Sequence, residues 1–324
     1  MSKLSKFFLL LVVLIVVVAS GGVAYIYAAF PKVPPAENVT IRATPEMIAR
    51  GEYLSKHVTG CVECHAERDF TKYAAPVKPE TLGKGGEPFG DPETPIRVLF
   101  SKNLTPAGIG TWTDGEVLRA FTSGVSKDGD PLFPLMPYPR YARLSREDAE
   151  AIVVYLRTLE PIEYVAPERE LAMPLPLVVR TIPSHATFRP TPPKSDRVAY
   201  GEYLTNAAVC GDCHTPMDDQ GTPLPGREFA GGFEMKLPGG GVVRAANLTP
   251  DADTGIGTWT EQQFVDKFKA FDGAEHRTLT AAEQRENTWM PWYAYAGMTR
   301  EDLGAIYTYL RNLKPVINRV QKHN

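Results

Sequence analysis

From Phe7 to Phe30 the chain carries no charged side chain, and over all 324 residues it has only four cysteines and no surplus of positive charge. Each scarcity excludes something. An uncharged run of 24 residues is too long for an ordinary core helix and long enough to span a bilayer. A net charge of −3 argues against nucleic acid as a partner. The cysteines form two C-x-x-C pairs, so none is left for a disulfide framework, and the absence of a βαβ pattern around either pair excludes a thioredoxin-like dithiol.

Both pairs are followed directly by histidine, in Cys61-Val62-Glu63-Cys64-His65 and Cys210-Gly211-Asp212-Cys213-His214. C-x-x-C-H is the attachment signature of a c-type haem: two thiols add to the porphyrin vinyl groups and the adjacent imidazole ligates iron. Two covalently bound haems c are therefore expected. A single zinc shared by four thiolates is the alternative, but it would leave His65 and His214 unexplained.

Haem attachment of this kind is completed outside the bacterial cytoplasm, and the N-terminus agrees. Lys3 and Lys6 precede the apolar run, and Tyr25 and Tyr27 lie near its far end, as at a membrane interface. The favoured reading is a single-pass anchor in the bacterial inner membrane with the rest of the chain in the periplasm. A signal peptide cleaved after Val18-Ala19-Ser20 is the alternative.

Beyond the anchor the chain is a duplication. Gly51-Glu52-Tyr53-Leu54 recurs as Gly201-Glu202-Tyr203-Leu204, Asn103-Leu104-Thr105-Pro106 as Asn247-Leu248-Thr249-Pro250, and Gly108-Ile109-Gly110-Thr111-Trp112-Thr113 as Gly255-Ile256-Gly257-Thr258-Trp259-Thr260. Met136-Pro137 recurs as Met290-Pro291, and Tyr155-Leu156-Arg157 as Tyr309-Leu310-Arg311. The expected division is an anchor over 1–30, a juxtamembrane linker over 31–43, a first domain over 44–160, a proline-rich linker over 161–194, a second domain over 195–318 and a tail over 319–324.

Each repeat predicts three principal helices, beginning at Thr44 or Ser195-Asp196, at capping boxes Thr113/Glu116 and Thr260/Gln263, and at Ser145 or Thr299. Gly51 and Gly201 let the first helix approach Tyr155 and Tyr309. A hairpin is expected from Phe233–Leu237 and Val242–Arg244 across a Pro-Gly-Gly-Gly turn. The linker, with eight prolines and no helical period, predicts an extended path along a domain surface.

A second strong iron ligand separates electron transfer from gas or peroxide chemistry. Met136 and Met290 are the candidates, because they follow His65 and His214 by similar intervals and each precedes a proline. Thioether ligation raises the reduction potential. Trp112 and Trp259 are candidate donors to haem propionates, with Asn103, Asn247, Arg97 and Arg244 beside them. Local turn bonds are the plainer role for the asparagines.

In this order the motifs resemble the class I cytochrome c domains in the cytochrome subunits of membrane-bound periplasmic alcohol and gluconate dehydrogenases. The resemblance covers nearly all of residues 44–318, twice over. It implies an all-α fold of two tandem class I cytochrome c domains after a single N-terminal transmembrane helix, with His65/Met136 and His214/Met290 as axial pairs. It also implies electron transfer rather than catalysis, with a dehydrogenase, a quinol-oxidising complex or a terminal oxidase as redox partner. Those subunits commonly carry three haem domains, whereas this chain has two motifs. A dihaem cytochrome c peroxidase is the competing enzyme; the equivalence of the two Met-Pro segments argues against the asymmetry it needs.

Overall fold

The computed structural model describes residues 2–218 and 221–323. It opens on α1 (Lys3–Ala29), none of whose described residues is buried. By length and composition α1 can cross a membrane, though a signal sequence passes the same test. The first repeat contributes α2 (Pro45–Tyr53), α3 (Asp114–Ser123) and α4 (Arg146–Leu156). Linker helix α5 (Leu175–Thr181) follows, and the second repeat gives α6 (Arg197–Ala207), α7 (Glu261–Lys269) and α8 (Arg300–Arg311).

The helices start where their caps predict. Thr44 Oγ1 accepts from Met47 N at 3.2 Å and Asp196 Oδ1 from Ala199 N at 3.0 Å, each satisfying an orphan amide of the first turn. Both capping boxes close, at Thr113/Glu116 and Thr260/Gln263. Ser145 and Thr299 accept from the amides of Asp148 and Asp302, each at 3.1 Å. Within each repeat the first helix crosses the last at its glycine. A Cβ on Gly51 would stand 1.9 Å from the Ala151 carbonyl oxygen, and one on Gly201 would stand 2.0 Å from that of Ala305, so no larger residue allows the crossing.

Two expectations need correction. The fold is mostly helical, but it includes a three-stranded antiparallel sheet of β1 (Pro88–Phe89), β2 (Ile96–Phe100) and β3 (Glu170–Leu171). The expected hairpin is present as β4 (Glu234–Lys236) and β5 (Val242–Arg244), with Glu234 opposite Arg244. The linker is also more than an extended strap, because β3 pairs with β2 of the first repeat and α5 is helical. Pro176 sits in the first turn of α5, where a missing N–H costs nothing, so proline content alone misread this segment.

One continuous core runs through both repeats, from Leu54, Val58 and Ile152 to Leu204, Phe264 and Ile306. One pair of polar contacts between the repeats is reciprocal. Tyr53 donates to Asp302 Oδ2 at 2.6 Å and accepts from Thr299 N at 3.2 Å, while Tyr203 donates to Asp148 Oδ2 at 2.6 Å and accepts from Ser145 N at 3.1 Å. Each tyrosine thus closes the N-terminus of the other repeat's last helix. The buried carboxylates have further partners, Arg50 for Asp148 and Tyr200 with Lys194 for Asp302. Burial, and then the Asp148 charge, pushes the Tyr203 hydroxyl up to about 12, so it stays protonated as a donor.

Candidate haem-binding site

The C-x-x-C-H segments lie just beyond the first helix of each repeat. After α2 the chain continues through a π-helical turn, Leu54–Val58, and reverses at Gly60 (φ +66°) into a short helix, Cys61–Cys64. The second copy reverses at Val209 (φ +48°) into Cys210–His214. A left-handed residue is required at this turn, and a β-branched side chain holds it only because the surroundings over-determine it. Within each short helix the cysteines are three residues apart and share a face, with histidine next in line.

Both imidazoles are oriented from behind. His65 Nδ1 donates to the Lys102 carbonyl and His214 Nδ1 to that of Ala246, each at 2.7 Å. These carbonyls immediately precede Asn103 and Asn247. Burial lowers both histidines from their ordinary range, so they stay neutral and Nε2 keeps a lone pair for a metal.

Desolvation also raises all four thiols, Cys64 and Cys210 up to about 12 and Cys213 up to about 11. Cys64 and Cys213 nonetheless reach solvent, whereas Cys61 is buried and Cys210 lies between the two extremes. A thioether suits such surroundings, because sulfur held covalently never has to ionise. Among the described residues no three His, Cys, Asp or Glu side chains converge as a metal site of their own. The donor set and its surroundings fit covalently held haem.

The fold also brings the two motifs together, which their sequence separation did not foretell. Cys64 lies close enough to Cys213 for the Cys213 charge to bear on it. Tyr141 donates to the Thr59 carbonyl at 2.5 Å and Tyr295 to that of Ala208 at 2.7 Å, each two residues ahead of its own first cysteine. Burial first, and then the nearby thiols, raises both tyrosines well above their usual value. Arg140, four residues after Met136, pairs with Asp212 inside the other repeat's motif at 2.6 Å. The matching position in the second repeat is Ala294, so Glu63 has no such partner there. The repeat symmetry is broken at this point.

Met136 and Met290 are half-buried against the core, each followed by a proline that opens a short helix, Tyr138–Tyr141 or Trp292–Ala296. Their settings differ. Asn287, buried three residues before Met290, accepts from Ala74 N at 2.9 Å and donates to the carbonyls of Lys72 at 2.9 Å and Phe70 at 3.3 Å. Trp289 packs edge-on against Phe70 at 4.7 Å, with Arg68 over both rings. The loop that follows His65 therefore clamps the segment bearing Met290. Beside Met136, Leu135 is 52% exposed.

The expected propionate donors are placed unevenly. Asn103 accepts from Thr105 N at 2.9 Å and Oγ1 at 2.8 Å and donates to the carbonyls of Ile162 at 2.7 Å and Tyr164 at 3.2 Å. Asn247 accepts from Thr249 N and Oγ1 and donates to the Val316 carbonyl at 2.8 Å. With both ends engaged, the asparagines fix the carbonyls that orient the histidines, and the Asn-x-Thr spacing was the signal for it. Arg97 is exposed on β2 and Arg244 pairs with Glu234 at 2.6 Å, so neither joins the cysteine clusters. Trp112 is half-buried on the core and Trp259 is exposed; neither indole N–H has a protein acceptor among the described residues.

No protein-family profile matches the chain. Curated relatives do, and the chain resembles the cytochrome c subunits of sugar and alcohol dehydrogenases. It is 29% identical to the cytochrome c subunit of a quinone-dependent alcohol dehydrogenase of Gluconacetobacter polyoxogenes, over 85% of this chain and 57% of that protein. Identity is 30% to the cytochrome c subunit of gluconate 2-dehydrogenase of Pantoea cypripedii, over 84% of this chain and 60% of the relative. A dihaem c-type cytochrome of Cereibacter sphaeroides is 28% identical over 65% of this chain and 72% of its own length. The chain thus spans little more than half of the dehydrogenase subunits it resembles.

Proposed function

We propose that this chain is a dihaem c-type cytochrome that relays single electrons from a periplasmic dehydrogenase to a terminal acceptor, held at the bacterial inner membrane by α1. The observation that carries the reading is the duplicated C-x-x-C-H with each His Nδ1 bound to a backbone carbonyl, in a chain similar to dehydrogenase cytochrome subunits. Cys61 and Cys64 would hold one haem and Cys210 and Cys213 the other, with His65/Met136 and His214/Met290 as axial ligands. When bound, each haem supplies reversible one-electron exchange at its iron.

The chain's own part is positional. Lys102 and Ala246 fix the histidine tautomer through their carbonyls, and Asn103 and Asn247 fix those carbonyls. The reciprocal Tyr53/Asp302 and Tyr203/Asp148 contacts hold the two attachment segments in one body. That favours transfer between the haems over independent motion of two tethered domains. The relatives' names support a dehydrogenase as donor over a quinol-oxidising complex or an oxidase, and nothing in them supports the peroxidase alternative.

The test is a pyridine haemochrome count with redox titration of the protein purified from native membranes. Two haems per chain, low-spin ferric spectra and a co-purifying dehydrogenase are expected. A high-spin ferric haem, or rapid peroxide turnover by the reduced protein, would overturn the relay.

A further inference from the structure

The linker segment from Ala172 to Ser184 has one charged residue, Arg180, and is otherwise almost wholly apolar. Within it α5 packs against α1. Arg180 donates to the Phe30 carbonyl at 3.0 Å, and its guanidinium lies over the Tyr27 ring at 4.7 Å. Val179 turns inward and is fully buried, while Met173, Val178 and Ile182 are 67%, 44% and 38% exposed. Val178 and Ile182 are four residues apart and share one side of the helical turn.

The geometry points to α5 as a second membrane contact, an interfacial segment whose exposed apolar side enters the outer-leaflet headgroup region. This rests on the reading that α1 is retained as an anchor. The reason is position: α1 is about 40 Å long against a hydrocarbon core of about 30 Å, so its last turn emerges at the lipid interface. There α5 is fastened, beside Tyr25 and Tyr27, the side-chain type that favours that depth. Arg180 itself is turned inward, its side chain 15% exposed and 3.9 Å from Asp130, so it fastens α5 to α1 while the exposed apolar side chains form the lipid-facing side. A single-pass helix alone leaves its cargo free to swivel. With α5 also seated on lipid, and β3 joining the linker to the first repeat, the haem-binding body would keep one face toward the membrane.

The test uses the full chain in phospholipid nanodiscs with a nitroxide on Met173→Cys, Val178→Cys or Ile182→Cys, and on Glu168→Cys, whose parent side chain is 95% exposed, as the aqueous reference. Native cysteines occupied by haem do not label; the unsubstituted chain supplies the baseline. Collisional relaxation by oxygen should exceed that by a water-soluble nickel chelate several-fold at 173, 178 and 182, and the order should reverse at 168. Nickel access at all three sites like that at 168 would overturn the proposal. Exclusion of both reagents would also overturn it, because a protein subunit would then be the occupant. Intact mass of the purified protein separates the two readings: loss of the first ~20 residues, at the apolar run's possible cleavage site, refutes the anchor itself.

Discussion

Replacing Tyr203 with phenylalanine removes one oxygen from the interface and nothing else. That oxygen donates to Asp148 and accepts from the Ser145 amide, which caps α4, in surroundings with little access to water. A hydrogen bond to a charged group contributes about 1.5–3 kcal/mol, and a stranded buried donor costs about 1–3 kcal/mol. Asp148 keeps its two bonds to Arg50, at 2.8 and 2.9 Å, so the carboxylate is not left unpaired and the lower halves of these ranges apply. The expected cost is about 3 kcal/mol. Guanidinium unfolding of the detergent-solubilised protein, followed by Soret circular dichroism, should show a lower midpoint at unchanged slope. Tyr53→Phe removes the equivalent oxygen above Asp302 and should cost a similar amount. If both single variants stay within about 0.5 kcal/mol of the parent, the range of ordinary surface substitutions, the tyrosines do not close the interface as argued.

Other substitutions probe the site. Met136→Ala and Met290→Ala should each abolish about half of the sulfur-to-iron charge-transfer band and lower one of the two potentials; an intact band would remove methionine as a ligand. Asn287→Ala strands the Ala74 amide and should cost about 1–3 kcal/mol, weakening the band and shifting the potential of only one haem; equal effects on both would mean the clamp serves general folding. Half-buried His57, whose Nδ1 donates to the Ala294 carbonyl across the interface, has its pKa lowered first by desolvation. The unfolded chain therefore takes up that proton more readily than the folded one. Stability from this group is present above about pH 6.5 and is lost as pH falls toward the folded value. Stability measured against pH should fall less steeply in His57→Gln, and an unchanged slope would assign the acid loss elsewhere. Gly51→Ala sets a helix-propensity gain of about 1 kcal/mol against a contact that forces α2 off α4, so destabilisation should win. A melting temperature at or above that of the parent would contradict the close crossing.

Local chemistry was readable from the sequence because it is short-range. Helix starts at Thr44, Thr113, Ser145, Thr260 and Thr299 follow from a side-chain oxygen and an amide three residues apart, and the structure places them there. The same holds for the cysteine spacing and for Gly51 and Gly201, where the duplication itself showed that a small residue recurs at a crossing. The partners of the recurring asparagines were not readable in this way. Asn103 and Asn247 were singled out as recurring polar residues, but their partners are carbonyls 59 and 69 residues away, beyond any local pattern.

The sequence by itself determined an apolar N-terminal helix, a duplicated helical framework, the two C-x-x-C-H motifs and the recurring Met-Pro segments. Each depends on residue type and spacing along one stretch of chain. Only the tertiary structure decided that the two motifs meet at one interface, that Asp148 and Asp302 are shared between repeats, that Met290 is clamped while Met136 lies beside an exposed leucine, and that the linker folds back onto α1. Those outcomes depend on which surfaces come together when a continuous core closes over both repeats. A repeat read alone is symmetric, and the differences arise where residues such as Arg140 and Ala294 face opposite partners.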